Sequence, residues 1–379
     1  MKHWKVILKL VIASLLVKFA YLLLNAFITG NASSISLDTY IGLIKRNDSW
    51  WYERVVTDGY PEIREKDSIG SVIDGVWTQT QWAFFPFYPA MNRIVMKVFN
   101  TDFNHSAFFL SLLFSFLSLI GFYYFALQQL KDTKKAFFSS LVFLLFPFHY
   151  YFSMMYTEAV FFTFMIFSFL ALENKKYGWF AVLIVPLVLT RVNGLIVLIP
   201  LYMYHLEKEN ILSKKHLYIK EVFTKHNIKM SCMFLSAVIA FGLYCLYQKE
   251  KTGFFFAFNV AQAGWGRETV FPLKALFRYS NFMTIFNSIY IILTAIIAVF
   301  AWKKYPLSLN IWIWLSLLIP LSSGSVVSVP RFISVLFPIT IFIGEWLYSR
   351  KYHYITLILL FVFQLWTFYF WISGSIFAY

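Results

Sequence analysis

The sequence predicts an all-α polytopic membrane protein, and three observations predict it. Of its residues 60% are hydrophobic and only 13% charged, too little polar surface to cover a soluble domain of this size. Its apolar runs recur at roughly the length that a bilayer demands of a helix. Short lysine clusters punctuate those runs, so the formal charge of +15 reads as a topology signal and not as a nucleic-acid surface. Aromatics at 22% suit interfacial belts, with a coding bias toward Phe, Ile, Lys and Tyr contributing. Cys232 and Cys245 fall inside one apolar run, so no disulfide framework is indicated. Nothing suggests a soluble domain or a repeat, and residues 1–379 read as a single integral membrane domain.

The start, MKHWKVILKLVIASLLVKFAYLLLNAFI, has the charged opening of a signal peptide, but its apolar part is too long and no small-residue cleavage site follows. It reads as an uncleaved first span over residues 5–28. A first outer loop, 29–104, then carries no span, and connections of that length are commonly functional. Within it FFPFYPAMNRIVMKVF is amphipathic and suits a helix lying in the interface. Further spans are expected over 106–130, 136–152 and 156–172.

The run 179–205 admits one tilted helix or two short ones. Arg191 sits near its middle, followed by Asn193 and Gly194. A lone arginine at mid-bilayer costs about 2.5–3.5 kcal/mol, which two helices meeting over 190–194 avoid. The lysines decide independently. The next segment, HLEKENILSKKHLYIKEVFTKHNIK, holds six lysines and belongs in the cytoplasm. If the chain goes in and back, that segment shares the side of the N-terminus with KDTKK, ENKKY, Lys303-Lys304 and Arg350-Lys351. With later spans over 230–248, 283–302, 307–322, 332–348 and 354–373, the total is about eleven, N-terminus cytoplasmic.

This topology gathers one set of residues on the outer side: Asp48 in the first loop, the turn at Glu158, Arg191, the second outer loop 249–282, and Arg331. Arginines at membrane depth hold a phosphate by forked, charge-assisted hydrogen bonds. A facing carboxylate takes a proton from an attacking hydroxyl, an effect worth roughly 10² to 10⁴ in rate. Indole and phenol rings pack on sugar faces. Together they point to transfer of a sugar from a lipid phosphate carrier to a hydroxyl. Simpler roles stand beside these: Asp48 and Glu158 as helix caps, Trp50, Trp51 and Tyr52 as interface anchors, the arginines as headgroup contacts. No histidine spacing suggests a metal site.

NDSWWYERVVTDGYP followed by WAFFPFYPAMNR resembles the signature of the PIG-V family of mannosyltransferases, which add the second mannose to GPI anchors, and of their bacterial relatives. In order, MMYTEAVFF is similar to that family's Tyr-Ser/Thr-Glu turn, LTRVNGLIVLIP to its Arg-x-x-Gly hairpin, and SVPRFISVLFP to its late Arg-Phe segment. TGFFFAFNVAQAGWGRE is similar to a bacterial version of its second outer loop. The chain departs from the pattern in having Asn47 before Asp48 where the family has Trp, and the segment 61–82 matches no motif.

The resemblance implies a GT-C type glycosyltransferase using a polyprenyl-phosphate hexose, mannose by the family name, with no cofactor and no obligatory metal. It implies Asp48 as general base, Arg191 and Arg331 at the donor phosphate, and Trp51, Tyr52, Tyr60, Glu158, Gln262, Trp265 and Arg267 near the substrates. The acceptor is a lipid, glycan or protein hydroxyl. The expected location is the bacterial inner membrane with the site facing outward, or the ER membrane in a eukaryote. The rival readings are a transporter or flippase of a lipid-linked sugar and a catalytically silent partner of a transferase.

Overall fold

A computed structural model describes residues 3–62, 72–73, 76–77, 79–278 and 280–374. The described chain is a helical bundle. In order it forms α1 (His3–Thr29), α2 (Leu37–Ile44), α3 (Asp48–Thr57), α4 (Phe87–Phe99), α5 (Phe103–Leu130), α6 (Thr133–Leu145) and α7 (Glu158–Glu173). Next come α8 (Tyr177–Thr190), α9 (Asn193–Ile196), α10 (Leu198–Lys208), α11 (Ile219–Val222), α12 (Lys225–Thr252), α13 (Ala257–Val260) and α14 (Pro272–Leu276). The last are α15 (Phe282–Ala301), α16 (Leu307–Leu321), α17 (Val329–Ile333), α18 (Phe337–Tyr348) and α19 (His353–Ile372). Among the described residues 5 helices, α1, α5, α12, α15 and α19, are long and apolar enough to cross a membrane. Each remaining run expected as a span also contains a helix, though a shorter one.

The bundle is centred on α7, which is apolar and buried on nearly all sides, as a helix without a solvent face must be. It packs on α5, α8 and α10. Against α5 the seam is made of small hydroxyls: Ser118 donates to the Ala159 carbonyl at 3.0 Å and Thr163 to that of Phe114 at 3.2 Å. Such pairs hold helices together where lipid supplies no hydrophobic drive between them. Where α18 crosses α6, an added Cβ on Gly344 would lie 2.7 Å from the Ser139 Cα, so glycine sets that approach.

The run 136–152 is not one helix. The residue before a proline avoids the α region, and α6 stops at Leu145, ahead of Phe146-Pro147. Phe148 then takes φ 66° and the chain continues as a 3₁₀ turn over His149–Ser153. The run 179–205 breaks as expected. Pro186 removes one α8 hydrogen bond, Thr190 returns its hydroxyl to the Pro186 carbonyl at 2.7 Å, and Arg191 is extended. At Gly194 an added Cβ would fall 2.0 Å from the Leu187 carbonyl oxygen, so only glycine lets the chain double back here.

The bundle has two unlike ends. α7 runs from Glu158, paired with Arg191, to Glu173, paired with Lys208 at 2.6 Å. Hence α8 and α10 run in opposite directions beside it. Around Glu173 the lysine clusters assemble: Lys175 meets Glu209 at 3.2 Å, Lys135 meets Glu345 at 3.3 Å, and Lys304 shares Glu345. At the other end, the first loop is built and not loose. α3 packs on α4, and Arg93 of α4 donates to the carbonyls of Val55 and Val56 at 2.6 and 2.9 Å, closing the last turn of α3. α4 is the expected amphipathic piece, burying Tyr88 and Asn92 and exposing Ile94, Val98 and Phe99. Of the segment 61–82, residues 63–71, 74–75 and 78 lie outside the described residues, and a two-residue ladder pairs Val72–Ile73 with Val76–Trp77. The second loop is pinned to the end of α16, Val270 N–H donating to the Ser322 carbonyl at 2.9 Å.

Candidate functional site

At the loop-bearing end a cavity of about 910 Å³ opens between α3, the α8–α9 turn, the second outer loop and α17. Asp48, Trp51, Tyr52, Arg191, Gln262, Trp265, Arg267 and Arg331 all line it. Four separate segments thus deliver most of the residues that sequence reasoning singled out; Tyr60 and Glu158 do not line the cavity.

Asp48 opens α3 but does not cap it by side chain; its Oδ2 accepts from the Arg331 guanidinium at 2.6 Å. Glu158 likewise opens α7, with no exposed surface, and its Oε1 accepts from Arg191 at 2.8 Å and from Arg331. Both carboxylates therefore sit at helix N-termini, where the dipole favours negative charge. Glu158 Oε2 has no hydrogen-bond partner among the described residues. Burial opposes the Arg331 cation, and the Glu158 and Asp48 charges outweigh it and hold its pKa above the ordinary arginine value.

Tyr156 completes the clamp. Its ring lies under the Arg331 guanidinium at 4.5 Å, its hydroxyl donates to the Arg46 carbonyl at 3.0 Å, and it accepts from the Asp48 N–H at 3.3 Å. Burial first, and then the Asp48 charge, push the Tyr52 hydroxyl up, so it stays neutral, 3.1 Å from the Thr157 hydroxyl.

Two expectations change. Arg191 and Arg331 are already neutralised by carboxylates, because two arginines and two acids converge on one buried knot. Of the three arginines that line the cavity, Arg267 has no carboxylate partner among the described residues; its guanidinium donates to Gln262 Oε1 at 2.6 Å. Burial lowers its pKa, against which the Asp48 charge works. Tyr60 does not line the cavity. It stacks on Trp82 at 4.5 Å and donates to the Phe84 carbonyl at 2.6 Å, holding Phe84 from behind.

Phe84 matters because it forms the aromatic wall. Trp51 stacks on it at 5.9 Å and meets Trp265 edge-on at 5.7 Å. Sequence reasoning missed Trp371 of α19, which lines the cavity while donating to the Leu43 carbonyl at 2.9 Å; nothing in its apolar surroundings marks it. It also missed a meeting of His205, Glu209 and His226 at the lysine-bearing end, where no metal grouping was expected.

No family model matches the chain, and no curated protein is significantly similar to it. Chemically, the cavity offers a partly open carboxylate, an arginine free to meet an anion, and flat rings suited to a sugar. Those are the parts of a site that moves a proton beside an anionic leaving group.

Proposed function

We propose that this chain is an integral membrane glycosyltransferase of GT-C type that moves a hexose from a polyprenyl-phosphate donor to a hydroxyl acceptor. The observation that carries the reading is the meeting of Asp48, Arg267 and the Trp51–Trp265 wall in one cavity at one end of a membrane bundle. In this reading about eleven helices span the membrane, the cavity faces outward, and the lysine-bearing end faces the cytoplasm. The resemblance to PIG-V mannosyltransferases supplies mannose as the sugar to test first.

The reaction runs as follows. Asp48 removes the proton from the acceptor hydroxyl, whose oxygen bonds to the anomeric carbon as the bond from that carbon to the phosphate oxygen breaks. Polyprenyl phosphate leaves against Arg267, with Arg191 and Arg331 adding field from behind. The Arg331 contact holds Asp48 aimed into the cavity, which is positioning and not proton chemistry. The Trp51 face seats the hexose. The acceptor is a glycolipid, glycan or protein.

Purified protein offered a panel of radiolabelled polyprenyl-phosphate hexoses tests this. Asp48→Asn lowers transfer by roughly 10² to 10⁴ while donor binding persists. Arg267→Ala weakens donor binding by about ten-fold, the worth of one charge-assisted hydrogen bond. Full transfer by Asp48→Asn sinks the mechanism, and movement of donor between leaflets without transfer favours the flippase.

A further inference from the structure

We propose that His205, Glu209 and His226 form a binding site for a zinc-class divalent cation at the lysine-bearing end of the bundle, apart from the cavity. His205 and Glu209 stand one turn apart at the end of α10, so their side chains share a face. His226 is in the first turn of α12. Each of the three can place one ligand atom within 4.8 Å of the others. His226 Nε2 and Glu209 Oε1 stand 4.0 Å apart. A single ion bonded at about 2.0–2.2 Å to each would draw the donors to about 3.3 Å apart. Rotation of Glu209, half-buried, and His226, exposed, closes that gap.

The surroundings point the same way. Asn227 fixes the buried His205 ring: its Oδ1 lies 2.8 Å from Nε2, and its Nδ2 donates to the Glu221 carbonyl at 2.7 Å, which settles which way the amide faces. Nε2 must then carry the proton, and the other ring nitrogen keeps the lone pair a metal needs. Glu209 already accepts from two donors, the Lys175 ammonium at 3.2 Å and the neutral Tyr177 hydroxyl at 3.2 Å. Lys175 is the ion's competitor, and with its side chain 63% exposed it swings into water when displaced. Two imidazoles and one carboxylate suit a borderline-soft ion, whereas magnesium and calcium take oxygen donors. With three protein donors and one exposed side, the fourth position goes to water. The ion ties α10 to α12 across the connection over 209–224.

The test uses Co²⁺ as the probe, titrated into the full-length, tag-free protein in detergent and followed by its visible absorption. One equivalent gives a saturable spectrum that Zn²⁺ abolishes. Glu209→Ala and His226→Ala each lower the affinity by about ten-fold or more. Lys175→Ala raises it, because the competing cation is gone, and this arm keeps its force even if a ligand variant folds poorly. His216→Ala, in the same connection, leaves binding unchanged. Absence of a cobalt spectrum, unaltered affinity in the Glu209 and His226 variants, or an equal loss on His216→Ala overturns the proposal.

Discussion

The two ends of the bundle both carry ion pairs, yet they use them in opposite ways. At the lysine-bearing end the acids are in reach of water and the lysines outnumber them; Glu345 is 28% exposed and faces Lys135 and Lys304. Pairs of that kind contribute about 0–1 kcal/mol, and losing one leaves charges that water can solvate. At the cavity end Glu158 has no exposed surface and serves two arginines that are nearly as buried. Removing one member there strands the others without solvent. The lesson is that count of ion pairs says little, while the distance of the orphaned charge from water says a great deal.

Four substitutions sharpen or break that contrast. The largest effect belongs to Glu158→Gln, which leaves Arg191 unpaired and should cost about 3–5 kcal/mol by unfolding in detergent. Next, Gly194→Ala forces a Cβ into the Leu187 carbonyl beside the cavity and should cost about 1–3 kcal/mol. Gly178→Ala, in the first turn of α8 with open space around it, serves as its control and should be neutral or favourable by about 0.5–1 kcal/mol. The smallest effect belongs to Glu345→Ala, under about 1 kcal/mol. A Glu345 loss equal to the Glu158 loss would erase the distinction between the ends.

Much of the helix order was readable from the chain, since apolar run length and lysine position are local features of the residue order. The turn at Arg191 and Gly194 was readable for the same reason: a mid-run arginine and the next lysine segment both required it. What escaped was the assignment of partners. Glu158 lies 173 residues from Arg331 and Asp48 lies 283 from it, and such pairings are decided by packing that no local pattern encodes. Hence Arg267 was ranked behind Arg191 and Arg331, although it alone of the three has only an amide for a partner among the described residues. The i, i+4 relation of His205 to Glu209 was visible, but His226 joins them only through the way α12 docks beside α10.

The Glu158–Arg331 contact also has a temporal side. At roughly 5–20 residues per second, the 173 residues between them take the ribosome about 10–35 seconds to add. For that interval α7 carries a carboxylate whose second arginine does not yet exist, and of the two arginines that pair with it Arg191 arrives first. The site is therefore among the last parts of the molecule to become whole. Chains interrupted before α17 would carry a half-neutralised acid in their core.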